Sequence, residues 1–268
     1  MIYGVHIDED DIEGELLRAH NMNIKLIQLF VDLSMKHADA KRYNKLMRDY
    51  GISCVVHASY SINLGAKWDT YSWWIHKFIG EIFMAERLGA FGIVVHLGKQ
   101  MTLEHGDAIN NMYNGLIHVH NKTKHTNVSI YVETSAGQGT EMCYNLDDYC
   151  KLFAKLTHIS RFKMCIDTAH IFVAGYDIRT PESVRDIFTM LHNKVSANHI
   201  GLIHLNDAKE PLGSKKDRHQ SLGQGTIGLD GLTTIIQFAK SANIPIVLET
   251  PYDNQSNDVT ILANALRA

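Results

Sequence analysis

Nine residues of metal-ligand type are spaced so that they can act together. Short apolar runs end in His57, His96, Glu133, Asp167, His204 and Glu249, and His170, Asp217 and His219 follow in connecting segments. One His or Glu at such a position is usually a polar residue satisfied by its neighbours. Six at one height of a sheet are different, because their carboxylates would suffer repulsion and desolvation together unless a cation relieved both. Imidazole and carboxylate without thiolate suit Zn²⁺, and Mn²⁺ or Fe²⁺ fit on ligand type alone. His170, in the turn after Asp167, does not easily reach the same ion as its neighbour. Asp217 and His219 form an i, i+2 pair whose side chains share a direction in an extended loop, which suggests a third metal. Three Zn²⁺ outweigh the four carboxylates, so the site would draw an anion, phosphate first of all.

Something must carry these residues to one place. Apolar runs recur at 2–5, 24–30, 52–56, 92–95, 128–132, 163–166, 200–203 and 244–248. Most are continuous and rich in Val, Ile and Leu, the pattern of strands buried on both faces of a parallel sheet. Segments of helical spacing separate them. Tyr43, Leu46, Met47 and Tyr50 share one face of a helix over 38–50, and Trp74, Phe78, Ile82 and Ala85 form a second core stripe. Asn145 caps another helix, and Thr180 precedes one with Pro181 at its first position. Strand and helix alternating eight times without a linker predict a single (β/α)8 TIM barrel over residues 1–268, with a metal cluster at the C-terminal ends of its strands. A doubly wound sheet would announce a nucleotide by a Gly-rich turn after the first strand, but His6-Ile7-Asp8-Glu9 stands there. Gly223-Gln224-Gly225 comes too late for that role.

Composition excludes several classes. No run approaches the roughly 18 apolar residues of a membrane span, and the N-terminus turns acidic within eight residues, so a cytoplasmic protein without signal peptide is expected. Cys54, Cys143, Cys150 and Cys165 lack C-x-x-C spacing and read as reduced packing thiols. A net charge of −3 argues against a general coat of Lys and Arg for holding nucleic acid, though not against a local positive site. Sixteen histidines are an excess for 268 residues, and the ligands account for five of them.

Six motifs now carry a resemblance. VHASY at 56–60, YVETSAGQG at 131–139, DTAHIFVAGYD at 167–177, HLNDAK at 204–209, DRHQSLGQGTIG at 217–228 and LETPY at 248–252 resemble, in order, those of the endonuclease IV family of apurinic/apyrimidinic (AP) endonucleases. The resemblance implies three zinc ions per chain. His57 and His96 would hold the first, with Glu133 bridging to a second completed by Asp167, His204 and Glu249. His170, Asp217 and His219 would hold the third. It further implies a monomer that hydrolyses double-stranded DNA 5′ of abasic sites, in the manner of deoxyribonuclease IV (phage-T4-induced). The products would be a 3′-hydroxyl and a 5′-deoxyribose phosphate, and blocked 3′ ends would be trimmed by the same chemistry. Two zincs would lower the pKa of a shared water, which attacks phosphorus while Glu133 orients it. Such base excision repair would take place in the cytoplasm, or in the nucleus, virion or viral factory if the source is eukaryotic or viral.

For DNA contact, Tyr60 matches an aromatic of the family that touches the duplex, and Lys209, Lys215, Lys216 and Arg218 surround the third-metal loop. Ser34 and Ser61 stand where penetrating residues are expected, so Met35 is a candidate substitute. Leu97-Gly98 replaces the usual Pro-Gly, which bears on loop shape. His6 ends the first strand as a partner of the ligands. Two rivals remain. A single-metal sugar isomerase or epimerase would need only Glu133, Asp167, His204 and Glu249, leaving five ligands unexplained. A cleavage-dead zinc protein that binds damaged DNA would keep all nine.

Overall fold

In the computed structural model, which describes residues 1–267, the apolar runs form eight parallel strands. They are β1 (Tyr3–His6), β2 (Leu26–Phe30), β3 (Ser53–His57), β4 (Gly92–His96), β5 (Ser129–Glu133), β6 (Phe162–Asp167), β7 (Ile200–His204) and β10 (Ile246–Leu248). Their order closes a barrel, with β10 between β7 and β1. Seven of the helices carry the chain from one barrel strand to the next or close the sequence: α1 (Ile12–Asn21), α2 (His37–Tyr50), α3 (Trp73–Leu88), α4 (His105–Thr123), α5 (Leu146–Ala154), α8 (Leu229–Ala242) and α9 (Gln255–Arg267). Between β6 and β7 two helices occur, α6 (Thr168–Ala174) and α7 (Pro181–Val195). The chain clusters into two compact units, Gly4–Val132 and Glu133–Ala268 with Met1–Tyr3.

In the first unit, β2 pairs in parallel with β1 and β3, and β3 pairs with β4. Gly4 lies so close to the Leu26 carbonyl that a Cβ would overlap it, which explains glycine within an otherwise bulky strand. On α3 the residues Trp74, Ile75, Phe78, Ile82 and Ala85 are buried, as the helical spacing requires. Burying one such large side chain favours folding by roughly 1.5–3 kcal/mol. Gly98 takes φ +91, and the neighbouring Asn63 Oδ1 leaves no room for a Cβ there. The glycine therefore sets the turn after β4, whatever precedes it.

In the second unit, β6 pairs with β7 and β7 with β10. Thr180 and Ser183 form a reciprocal capping box that starts α7 with Pro181 in its first turn, and Asn145 accepts from the Asp147 amide to start α5. Each cap stabilises its helix by about 1 kcal/mol. Two features depart from the sequence reading. His170 lies in the first turn of α6, not in a loop, because the Asp167 side chain caps that helix by accepting from the His170 amide at 2.7 Å. A short antiparallel ladder, β8 (Asp207–Ala208) with β9 (His219–Gln220), ties the segment after β7 to the Asp217–His219 stretch. Periodicity cannot reveal two-residue strands.

Candidate metal centre

Seven of the nine ligand-type residues belong to the second unit. Glu133, Asp167 and His204 end β5, β6 and β7 and are fully buried, as is His170 on α6. Ligand atoms of Glu133, Asp167, His204 and Glu249 lie within 4.8 Å of one another, and those of Asp167, His170 and His219 do so as a second group. Asp167 belongs to both groups, so the two share a carboxylate. Asp217 joins the second group, with Oδ2 3.2 Å from His170 Nε2 and Oδ1 3.3 Å from His219 Nε2.

Hydrogen bonds aim the imidazoles. His170 Nδ1 lies 2.8 Å from the Thr134 carbonyl and His219 Nδ1 lies 3.2 Å from the Glu249 carbonyl. A carbonyl only accepts, so each Nδ1 donates to it, and each Nε2 is left facing the carboxylates, where a proton or an ion fits between them. His204 is reversed: its Nδ1 faces Glu133 Oε1 at 3.0 Å and Glu249 Oε2 at 3.1 Å. These orientations suit an ion between imidazole and carboxylate, and the N and O donors suit Zn²⁺.

The electrostatics agree. Burial works against a charged His170, His204 or His219, yet all three are raised. Asp167 and Asp217 lift His170, while contacts with Cys165, Glu249 and Glu133 lift His204. Asp167 together with Asp217 and Glu249 brings His219 to about 9. Burial raises Asp167 although His170 and His219 oppose it. Asp217, despite its own burial, is held well below the usual carboxylate range by the same two imidazoles. So many buried carboxylates pull positive charge into the site, which a divalent cation supplies without protons. Cys165 approaches Glu133 and His204, but burial pushes its thiol up to about 12, and neutral sulfur is a poor ligand. All four cysteines are buried and free of disulfides.

The remaining two ligand-type residues lie in the first unit, ending β3 and β4. His57 is buried, His96 half-buried, and their ring centroids are 5.1 Å apart. His57 Nδ1 lies 2.7 Å from the Ala58 carbonyl, which again leaves Nε2 as the lone-pair nitrogen. Tyr60 sits 5.3 Å from both rings while remaining mostly exposed, and Phe30 packs 5.1 Å from His57 and from Tyr60. His6 Nδ1 pairs with Gln28 Nε2 at 3.0 Å, and its ring centroid lies 6.4 Å from that of His57. A cavity of about 250 Å³ opens beside Tyr60, lined by Glu9, Phe30, Val31, Ser59, Lys77 and Glu81.

The candidate DNA contacts are placed unevenly. Lys209 and Arg218 are exposed on the segment joined by β8 and β9, where the Lys209 amide donates to the Arg218 carbonyl at 2.9 Å. Lys215 instead lies over the Tyr144 ring at 4.0 Å, and Lys216 faces Glu210 at 3.8 Å. Met35 is half-buried, and Leu33 is the exposed apolar residue of its loop. Ser34 is folded back onto Asp32 by two hydrogen bonds, and Ser61 onto Ser59 by two more.

Three supporting residues escaped the sequence reading. Buried Asn206 donates from Nδ2 to Asp167 Oδ2 at 2.7 Å, and its Oδ1 accepts from the Glu249 amide at 2.8 Å. The buried Asp207 carboxylate accepts from the amides of Gly223, Gly225 and Ile227, which employs the very glycines that could have cradled a phosphate. Glu81 Oε2 accepts from the Ser59 amide at 3.1 Å and so fixes the start of the loop bearing Tyr60. Asn206 and Asp207 lie inside the HLNDAK motif, directly after a ligand, and that adjacency was the available signal.

The family model described as AP_endonuc_2, xylose isomerase-like TIM barrel, matches residues 16–268. A "Probable endonuclease 4" of Chlorobium phaeobacteroides is 32% identical, covering 97% of this chain and 95% of its own. A "Putative endonuclease 4" of Acanthamoeba polyphaga mimivirus is also 32% identical, over 88% and 80%. Among solved structures, endonuclease IV of Thermus thermophilus matches the fold with a TM-score of 0.83 at 23% identity, covering 100% and 99% of the two chains. A D-tagatose 3-epimerase-like protein matches with a TM-score of 0.80 at 16% identity, covering 100% and 97%, so the fold alone does not select the chemistry.

Proposed function

Because the chain belongs to the endonuclease IV family of AP endonucleases, we propose that it incises double-stranded DNA 5′ of abasic sites with three zinc ions. The observation that carries this reading is the pair of ligand groups sharing Asp167. An epimerase centre needs one ion, and Glu133, Asp167, His204 and Glu249 would satisfy it. Nothing in that chemistry calls for His170, Asp217 and His219, which the fold brings together by capping α6 with Asp167 and by pairing β8 with β9.

Under this reading Glu133, Asp167, His204 and Glu249 would hold one ion and His170, Asp217 and His219 another. By the family resemblance, His57 and His96 would hold the third, with Glu133 as the shared carboxylate. When bound, the ions polarise the phosphodiester and lower the pKa of the attacking water. The protein's part is orientation. The Thr134, Glu249 and Ala58 carbonyls lock three imidazoles in one tautomer, and Asn206 holds Asp167 and the backbone of Glu249. Glu133 orients the attacking group. Tyr60, Lys209 and Arg218 contact the DNA, and the cavity beside Tyr60 accepts a sugar-sized group. Release of 3′-phosphate and 3′-phosphoglycolate from broken ends follows from the same centre.

The test incubates the purified protein with an abasic duplex, with a 3′-phosphate duplex and with a ketose. Chelator-sensitive incision leaving a 3′-hydroxyl is expected. Ketose epimerisation without incision would replace this reading by the epimerase one.

A further inference from the structure

The chain between β3 and α3, residues 58–72, displays aromatic side chains that the core does not use. Tyr71 is 86% exposed, and Trp73, the first residue of α3, is 61% exposed. The packed face of α3 consists of Trp74, Ile75, Phe78 and Ile82, so Trp73 lies off the stripe that holds the helix to the barrel. Of the large apolar residues exposed in this unit, Leu33, Tyr60, Tyr71, Trp73 and Met101 all follow the ends of β2, β3 or β4, and Leu17 alone does not. Exposed apolar surface concentrated in this way marks a place that another molecule covers.

The display is rigid. Asp69 Oδ1 accepts from the Tyr71 amide at 2.9 Å and from Ser72 Oγ at 3.0 Å, and Ser72 Oγ accepts in turn from the Asp69 amide at 2.9 Å. Trp68 anchors the loop from below: its Nε1 donates to the Asn111 carbonyl at 3.1 Å, and its ring meets Trp74 edge-on at 6.3 Å. Asn111 donates back to the Gly65 carbonyl at 3.3 Å, and Asn63 Oδ1 accepts from the Lys99 amide at 2.7 Å. A surface held this firmly loses little entropy when it binds.

The surroundings select the ligand. Lys67 lies within the loop and the Lys99 backbone is bonded to its Asn63, while Lys77, on the first turns of α3, pairs with the buried Glu81 at 3.2 Å; the loop's one acidic group, Asp69, is engaged in the turn, although the chain as a whole carries −3. Aromatic faces among cations suit nucleobases strung on a phosphate backbone. Paired bases hide their faces within the duplex, so the strand that fits is unpaired.

We propose that Tyr71 and Trp73 form a stacking platform for unpaired bases, so that the preferred substrate is an abasic site bordered by single-stranded DNA. This rests on the endonuclease reading and names its substrate class.

Two measurements test it. The first compares kcat/KM on an abasic duplex adjoining a single-stranded stretch with kcat/KM on the fully paired duplex. The wild type should favour the gapped substrate. In Tyr71→Ala/Trp73→Ala that preference should fall by at least about fivefold, the equivalent of one lost base stack. An unchanged preference would overturn the proposal. The second measurement uses tryptophan emission and needs no incision. A lesion-free single-stranded oligonucleotide should quench the wild type but not Trp73→Phe, which retains the packed Trp68 and Trp74. Absence of quenching in the wild type, or equal quenching in both, would contradict the platform. If no duplex is cut, the endonuclease reading fails while the quenching titration still decides the platform.

Discussion

The two units of the chain hold ligand-type residues in contrasting surroundings. Around Asp167 in the second unit, carboxylates and imidazoles are buried and locked by backbone carbonyls, by Asn206 and by a helix cap. Around His57 and His96 in the first, one ring is half-buried and the neighbouring Tyr60 is open to solvent. The first arrangement suits holding cations at fixed places, because desolvated ligands in one tautomer lose little on binding. The second suits meeting a large substrate, because Tyr60, though packed against its neighbours on one side, is 68% exposed and offers the rest of its surface to another molecule. Disturbance should therefore act on metal and rate in the one and on substrate affinity in the other.

The largest break comes from Glu133. Glu133→Gln keeps the side chain's shape but removes a buried charge shared between ligand groups. Incision should fall by at least about 100-fold with the circular dichroism spectrum retained. Activity near the wild-type level would remove Glu133 from its proposed role. Next is Asn206, whose hydrogen bonds hold Asp167 and the Glu249 backbone. Asn206→Ala should weaken zinc binding by roughly 10–100-fold, read by chelator competition. Unaltered affinity would show that the carboxylates orient themselves.

Protons sharpen the same contrast. His219 rises from 6.5 to about 9 in the folded chain. Its pairing therefore stabilises the metal-free protein fully below about pH 6.5, and that contribution is lost as pH rises through about 9. The Tm of chelated protein should fall over this window, while zinc affinity rises as protons leave the ligands. A Tm independent of pH there would contradict the charge pairing. The smallest effect belongs to the open region. Tyr60→Ala should change stability by no more than about 0.5 kcal/mol yet raise KM for abasic DNA. A large loss of stability would make Tyr60 part of the core.

Much of this arrangement was legible in the sequence. The strands announce themselves because burial on both faces demands unbroken Val, Ile and Leu, and the positions that end them, from His57 to Glu249, fall at strand termini or one residue beyond. His170 was misplaced in a turn, because no local pattern shows that Asp167 both faces the site and caps α6. The β8 and β9 ladder that carries Asp217 and His219 inward is too short for any periodicity. Lys215, a candidate phosphate contact by its charge, lies over the Tyr144 ring, a placement no local pattern shows. Helical spacing set Trp74 on the core stripe and left Trp73 off it, whereas nothing in the spacing told exposed Tyr71 from packed Trp68 until the turn at Asp69 was seen.

The most direct test of the account is the metal content of the purified protein, measured together with incision of an abasic duplex as metal is withdrawn. About three zinc ions per chain, with incision lost as they leave, is the expected result. One ion per chain and no incision would contradict the account.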